Sequence, residues 1–384
     1  MSEVSNIPQL RFPEFSGEWE DGKLGNYGNL INGLTYSPDN IVDEGLLVLR
    51  SSNVQNGQIY LNDNVYVNLD VDDTALTRED DILICVRNGS KRLIGKSTII
   101  NKNLPKSTHG AFMTVFRGES NKFISHWFHS SIYYKEVHKN LGATINSING
   151  SNLKKFKTIF PLKPEQQKIA AFLTAVDNKI EQLSKKQELL DEYKKGLMQQ
   201  IFSQAVRFKA DDGSDFPDWE ERKLGDVGKV YQPKTISQTD LTTKGFDVYG
   251  ANGIIGKYSE YNHEFEQIAV TCRGNTCGTV NFTKPKSWIT GNAMVVNVDD
   301  SKVVNKTFIY YQLSHTNLTY LITGSGQPQI TGDIKTHKVK IPSLPEQTKI
   351  ANFLSSIDNK IEQVGKQLDE SKQFKKALLQ QMFV

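Results

Sequence analysis

Of 384 residues only three are cysteine: Cys85, Cys272 and Cys277. So sparse and odd a set argues against a disulfide framework and suits a reducing compartment. No apolar run approaches the roughly 20 residues of a membrane-spanning helix. The polar start, MSEVSNIPQLRFPEF, lacks the basic-then-apolar order of a secretion signal. The expectation is a soluble, cytoplasmic protein. Charge of one sign is also lacking. Lys and Arg number 46 against 43 Asp and Glu, for a net +3, too mild to announce a nucleic-acid binder and no bar to one. The phosphate-cradling GxxxxGK[ST] and GxGxxG loops are missing, as are HExxH, a CxxC pair and GxSxG. The seven histidines show no ligand spacing, and His126 and His129, one turn apart, read as packing or surface residues. The charged stretch at 216–223 reads as a solvated turn rather than a nuclease fragment. No catalytic residue and no metal site is expected.

What is present is a repeat. Residues 164–203 read PEQQKIAAFLTAVDNKIEQLSKKQELLDEYKKGLMQQIFS, and residues 345–384 read PEQTKIANFLSSIDNKIEQVGKQLDESKQFKKALLQQMFV. The offset is constant and ungapped (345 − 164 = 181). An internal duplication of this kind fixes the architecture before any other reading. Apolar residues step by four and three: Ile169, Leu173, Val176, Ile180, Leu183 and Leu190 in the first copy, Ile350, Leu354, Ile357, Ile361, Val364 and Leu368 in the second. That is the stripe of a helix burying one narrow seam against another helix. Pro164 and Pro345 suit a first helical turn, and Glu165 and Glu346 suit its positive end. Forty residues at 1.5 Å each make a rod of about 60 Å. The seam turns polar at Gln187 and Lys194, and at Ser371 and Lys375. Pairing of the two rods with each other is the expectation.

The duplication extends upstream. RFPEFSGEWEDGKLGN (11–26) matches RFKADDGSDFPDWEERKLGD (207–226), with Trp19 on Trp219 and Lys23-Leu24-Gly25 on Lys223-Leu224-Gly225. Between these landmarks lie two variable segments, about 26–160 and about 227–341. Each reads as several β-branched or aromatic runs, then one helix (122–137 and 306–322), a polar loop (142–152 and 324–333) and a last strand. Frame and element order are copied; the contents are not. The expected division is a domain at 1–163, a helix at 164–205, a second domain at 206–344 and a helix at 345–384.

The variable segments offer amide-rich loops with interleaved basic residues. Candidate DNA-contacting residues are Arg50, Ser52, Asn53, Arg87, Asn88, Lys91, Arg92, His109, Asn146 and Asn149 in the first segment. In the second they are Asn252, Arg273, Asn275, Thr276, Gln327, Gln329 and Thr331. Arg pairs with guanine edges, Asn and Gln with adenine edges, and Ser or Thr with bases or phosphate. Residue by residue, turn formation is the better account of these Asn and Gly residues. The stronger signal is positional: Arg87-Asn88-Gly89 and Arg273-Gly274-Asn275 end corresponding strands in both halves.

The repeated P-E-Q-x-K-I-A-x-F-L…D-N-K-I-E-Q helix and the W-x(3)-KLG opening resemble the specificity subunit of type I restriction–modification systems. The resemblance spans nearly the whole chain and is carried by the helices. It implies an α+β fold with two β-rich target-recognition domains of one fold, related by pseudo-two-fold symmetry and separated by two long antiparallel coiled-coil helices. It implies recognition of a bipartite, asymmetric double-stranded DNA site whose unread spacer is set by the rods. It also implies two modification (adenine methyltransferase) subunits, and two restriction (translocase and nuclease) subunits in the full complex. S-adenosylmethionine, ATP and magnesium then belong to those partners, and none to this chain. The absence of an Asn-Pro-Pro-aromatic methyltransferase motif agrees with that division. The alternative is a β-rich ligand-binding or fibre protein that oligomerises through coiled coils. A hydrolase with a divergent site is a third reading.

Overall fold

The computed structural model describes residues 6–55, 57–101, 103–141, 146–251, 253–324 and 327–384. The chain forms two compact units, one of Met1–Ser184 with Lys366–Val384 and one of Lys185–Gly365. The four-part division expected from the sequence is thus recast. Each long helix is shared, because its two ends are built into two different cores. Among the described residues no helix is long and apolar enough to cross a membrane.

The repeated stretches form single helices, Lys163–Phe202 and Leu344–Gln381. Every seam position named from the sequence is buried or half-buried, while most positions beside it are exposed. In the first unit, Ile169 and Leu173 from the start of one helix share a core with Leu378 and Met382 from the end of the other. In the second unit, Met198 and Ile201 share a core with Ile350 and Leu354. Within each unit the two helices therefore run antiparallel. The polar seam residues take part in this pairing. Lys375 Nζ meets Asp177 Oδ1 at 2.5 Å, and Lys194 Nζ meets Asp358 Oδ1 at 2.5 Å. Both lysines are 20% exposed. The aspartates are those of the duplicated DNKIEQ, so one ion pair occurs twice and fixes helix register at both places.

Both units build their sheets in the same order. A central antiparallel sheet runs Gly28–Asn32, Met113–Gly118, Ile82–Cys85, Ser97–Ile99 in the first unit. In the second it runs Lys229–Tyr231, Ala293–Asn297, Ile268–Thr271, Val280–Phe282. Beside it lies a smaller sheet with one parallel pairing, Ser107–His109 on Leu46–Leu49 or Trp288–Ile289 on Phe246–Gly250. The short strands of both units carry too few residues for a visible alternation, and the sequence reading missed Gly28–Asn32 and Lys229–Tyr231. The helix expected at 122–137 is two, Asn121–Trp127 and Ser131–Asn140. Ser130 breaks the run by accepting the Tyr133 N–H as an N-cap at 3.3 Å. In the second unit the helix is Lys306–His315, capped by Asn305.

The opening segments close each frame. Glu20–Lys23 pairs antiparallel with Lys157–Phe160, and Glu220–Lys223 with Lys338–Ile341, the strands that lead into the two helices. The 216–223 stretch thus ends in an exposed strand, not a turn. Behind the pairing sits a buried carboxylate. Glu165, 3% exposed at its side chain, takes Arg11 Nε at 2.8 Å and Nη2 at 2.7 Å, with Trp19 Nε1 at 3.3 Å. Glu346, fully buried, is held in the same way by Arg207 and by Trp219 Nε1 at 3.2 Å. Each arginine also donates to two carbonyls of its own opening segment, Ser16 and Gly17 or Phe216 and Pro217.

His126, at the end of its helix, touches Thr174 Oγ1 at 3.2 Å and lies 3.7 Å from Asp177 Oδ2. Burial, reinforced by the charge of Lys375 and by His129, lowers its pKa to about 3. The imidazole is neutral, so the contact with Asp177 is no ion pair. Proton uptake then favours the unfolded chain: the stability contributed is complete above the ordinary value of 6.5 and is lost as pH falls from there towards 3.

Three outcomes follow from this packing. Arg11→Ala strands the Glu165 carboxylate and should cost about 3–5 kcal/mol in denaturant unfolding. Asp177→Lys should lower the melting temperature, and adding Lys375→Asp should restore most of the loss, with a coupling of about 1 kcal/mol for this half-exposed pair. Thermal stability should fall below pH 6.5, with a shallower fall in His126→Gln.

Candidate nucleic-acid interface

In the first unit four loops gather at one end of the sheets. Leu46–Leu49 leads into the 3₁₀ turn Ser51–Asn53, and Ile82–Cys85 leads into 86–92 with a second turn at Lys91–Leu93. Residues 110–112 precede Met113–Gly118, and residues 146–149 precede the short helix Gly150–Lys154. Asn88 Nδ2 donates to Ser51 Oγ at 3.0 Å, and Asn146 Nδ2 to the Gly89 carbonyl at 2.9 Å. The main chain ties the rest together. Val86 and Arg87 both donate to the Phe112 carbonyl, Asn88 donates to Asn146, and Ile148 donates to Val86. Arg87 and Ser147 face each other in a β-bridge. The Arg87 guanidinium lies 5.8 Å from the centre of the Phe112 ring.

The second unit repeats this wiring. Cys272 donates to the Asn292 carbonyl, Gly274 to Pro328 and Ile330 to Cys272, while Arg273 and Gln329 form the bridge. Gly274, at φ +82°, takes the left-handed conformation that turns the chain after Arg273. Thr276 Oγ1 donates to the Ala251 carbonyl at 2.5 Å and so joins the loop that follows Phe246–Gly250. A cleft of about 370 Å³ opens here, with Val230, Met294 and Ile330 as an apolar floor and Arg273, Gln329 and Lys335 among its polar walls.

The structure brings most of the sequence-predicted residues to these loops and divides them by task. Ser52, Arg87, Lys91, Arg92, Arg273, Asn275, Gln327 and Gln329 are exposed. Arg50 is half-buried and paired with Asp63 at 2.8 Å. Asn88, Asn146 and Thr276 spend side-chain groups on joining loops. Asn149 and Thr331 cap the segments that follow, accepting from Ser151 and Asp333. Two assignments are corrected. Asn53 is fully buried, accepting from the Arg50 N–H and donating to the Tyr60 and Asp63 carbonyls, so its amide shapes the loop from inside. His109 is fully buried in a strand with Nε2 3.0 Å from the Ile31 carbonyl, and burial lowers its pKa. Neither presents an edge to a base. Asn252 lies outside the described residues. Sequence reasoning missed Phe112, Tyr231, Gln232 and Lys335, which border these loops or the cleft. Lys335, eight residues past Gln327, was within reach of a charge-based reading; the others gave no pattern.

The three thiols are buried, and burial raises the pKa of each, to about 11 for Cys85. They are protonated at neutral pH and unreactive. Among the described residues no cluster of three or more His, Cys, Asp or Glu is placed to hold a metal ion. The arrangement presents cations, amides and hydroxyls on exposed loops, the groups that bind phosphate and base edges.

The type I restriction modification DNA specificity domain model matches residues 16–191 and 217–371. The StySPI specificity subunit of Salmonella potsdam is 24% identical over 92% of this chain and 85% of its own length. The MjaVIII specificity subunit of Methanocaldococcus jannaschii is 24% identical over 96% and 92%. The crystal structure of a type I S subunit from M. genitalium superposes with a TM-score of 0.69 at 18% identity, covering 98% of this chain and 99% of that one.

Asn53→Ala removes three hydrogen bonds from inside the 50–63 loop and should cost about 1–3 kcal/mol in urea unfolding. Ser52→Ala beside it, on an exposed side chain, should cost under about 0.5 kcal/mol.

Proposed function

Because the chain belongs to the type I restriction–modification DNA specificity family, we propose that it reads a bipartite, asymmetric double-stranded DNA site, one half-site per unit. The observation that carries this reading is the pair of loop clusters: the same main-chain wiring in both units, bearing different side chains. A common backbone presents each cluster to DNA in the same way, and the different side chains select different bases. The chain itself performs no chemistry in this reading. Adenine methylation belongs to two modification subunits, translocation and cleavage to two restriction subunits, and S-adenosylmethionine, ATP and magnesium to those partners. Tyr193 and Phe374, 55% and 53% exposed at equivalent positions of the two long helices, support helix faces as the docking surface for partners. The coiled-coil fibre alternative loses its motive, since within each unit the helical seam is already filled from the same chain.

The test is to express the chain with its modification subunit in a host lacking such systems and map methylated adenine across the genome. A gapped, asymmetric motif that disappears when this chain is omitted is the expected result; a complex that forms and leaves no new methylation overturns the proposal. In the same assay Arg87→Ala and Arg273→Ala should each weaken one half-site by about 1–3 kcal/mol. A uniform loss over all sequences would reassign that arginine to phosphate.

A further inference from the structure

The shared wiring of the loop clusters aligns individual side chains. The amide at the end of one central strand donates to the Phe112 carbonyl in the first unit, and its counterpart donates to the Asn292 carbonyl in the second. Phe112 and Asn292 therefore occupy one position, directly beside Arg87 and Arg273. Their chemistry is opposite. Phe112 is 55% exposed, with the Arg87 cation over its ring. Its loop is held in place by a close approach of backbone: a Cβ on Gly33 would lie 2.1 Å from the Gly110 carbonyl oxygen. Asn292 is half-buried, and it and the exposed Gln329 flank the Cys272–Arg273 segment from opposite sides.

We infer that this position determines base specificity in both units: Phe112 contacts the 5-methyl group of a thymine, and Asn292 reads the edge of an adenine. The inference rests on the DNA-recognition reading above and adds to it a residue in each unit that selects one base pair. In the major groove the thymine methyl is the apolar group a base presents, and a carboxamide matches the paired donor and acceptor of adenine. The Phe112 ring has a second effect. Lying under the Arg87 cation, it restrains a guanidinium that is otherwise unbonded among the described residues, and a restrained fork selects the O6 and N7 of guanine at lower entropic cost.

The experiment compares genome-wide adenine methylation by the complex carrying the wild-type chain, Phe112→Asn, Phe112→Leu or Asn292→Phe, with melting temperatures measured alongside. Phe112→Asn should lose preference for one base pair of one half-site by about tenfold to a hundredfold. Phe112→Leu should keep that base pair because it keeps the apolar contact, and Asn292→Phe should alter the other half-site alone. Melting temperatures should stay close to that of the wild type, because neither side chain belongs to a core. An unchanged motif in both Phe112→Asn and Asn292→Phe overturns the inference, as does an equal weakening of both half-sites or a drop in melting temperature without a change of motif. A wild-type complex that leaves no motif would instead overturn the proposed function itself.

Discussion

An ionised carboxylate does not stay buried unless something of opposite charge is brought to it. Glu165 and Glu346, in the first turns of the long helices, impose that requirement twice. Arg11 and Arg207 meet it, each assisted by a tryptophan indole. Because these partners come from the opening segments, the start of each domain is pinned to the helix that ends it. The antiparallel strand pairing between opening segment and last strand then follows from proximity. Everything between is a loop closed at both ends by fixed chemistry, so its length and composition are free to differ. That is how two segments with almost no shared identity keep one sheet order.

The helices were legible because a period of seven sustained over forty residues leaves little room for another structure. Even their polar seam positions carried meaning: Lys194 and Lys375 looked like weak points, and they face the aspartates of the repeated motif. Tryptophan and KLG marked the frame correctly for a similar reason, since identical letters at both landmarks require an identical setting. The short strands were less legible. Two to six residues give no period to count, and Gly28–Asn32 is recognisable as a strand only through its partner Met113–Gly118. The loop positions gather as a group, but two of the named residues turn inward. Asn53 and His109 have the composition of contact residues, but whether an amide turns outward or inward depends on carbonyls ten residues away, such as that of Asp63. Phe112 was passed over because the run 111–118 reads as one strand, whereas the strand begins at Met113 and leaves Phe112 in the loop.

The two units show how a recognition surface diverges while its support does not. Most of the bonds that hold the loop clusters together run between main-chain atoms, and these depend little on which side chain is present. The side chains that rest on this support are exchanged freely: serine for glutamine at the bridge, phenylalanine for asparagine beside it. Side chains that knit loops together, such as Asn88 and Thr276, sit between these extremes and differ in identity while performing one task.

The first unit is assembled from the two extremities of the chain, residues up to Ser184 and those from Lys366 onward, whereas the second is continuous. A ribosome therefore delivers the whole of the second unit before it delivers the last turns of the first. Until Leu378, Met382 and Phe383 emerge, Ile169, Leu173 and Trp19 have no lid over their side of the core. Of the two units the one started earlier is completed later, so removing Lys366–Val384 harms the earlier-started unit and spares the other.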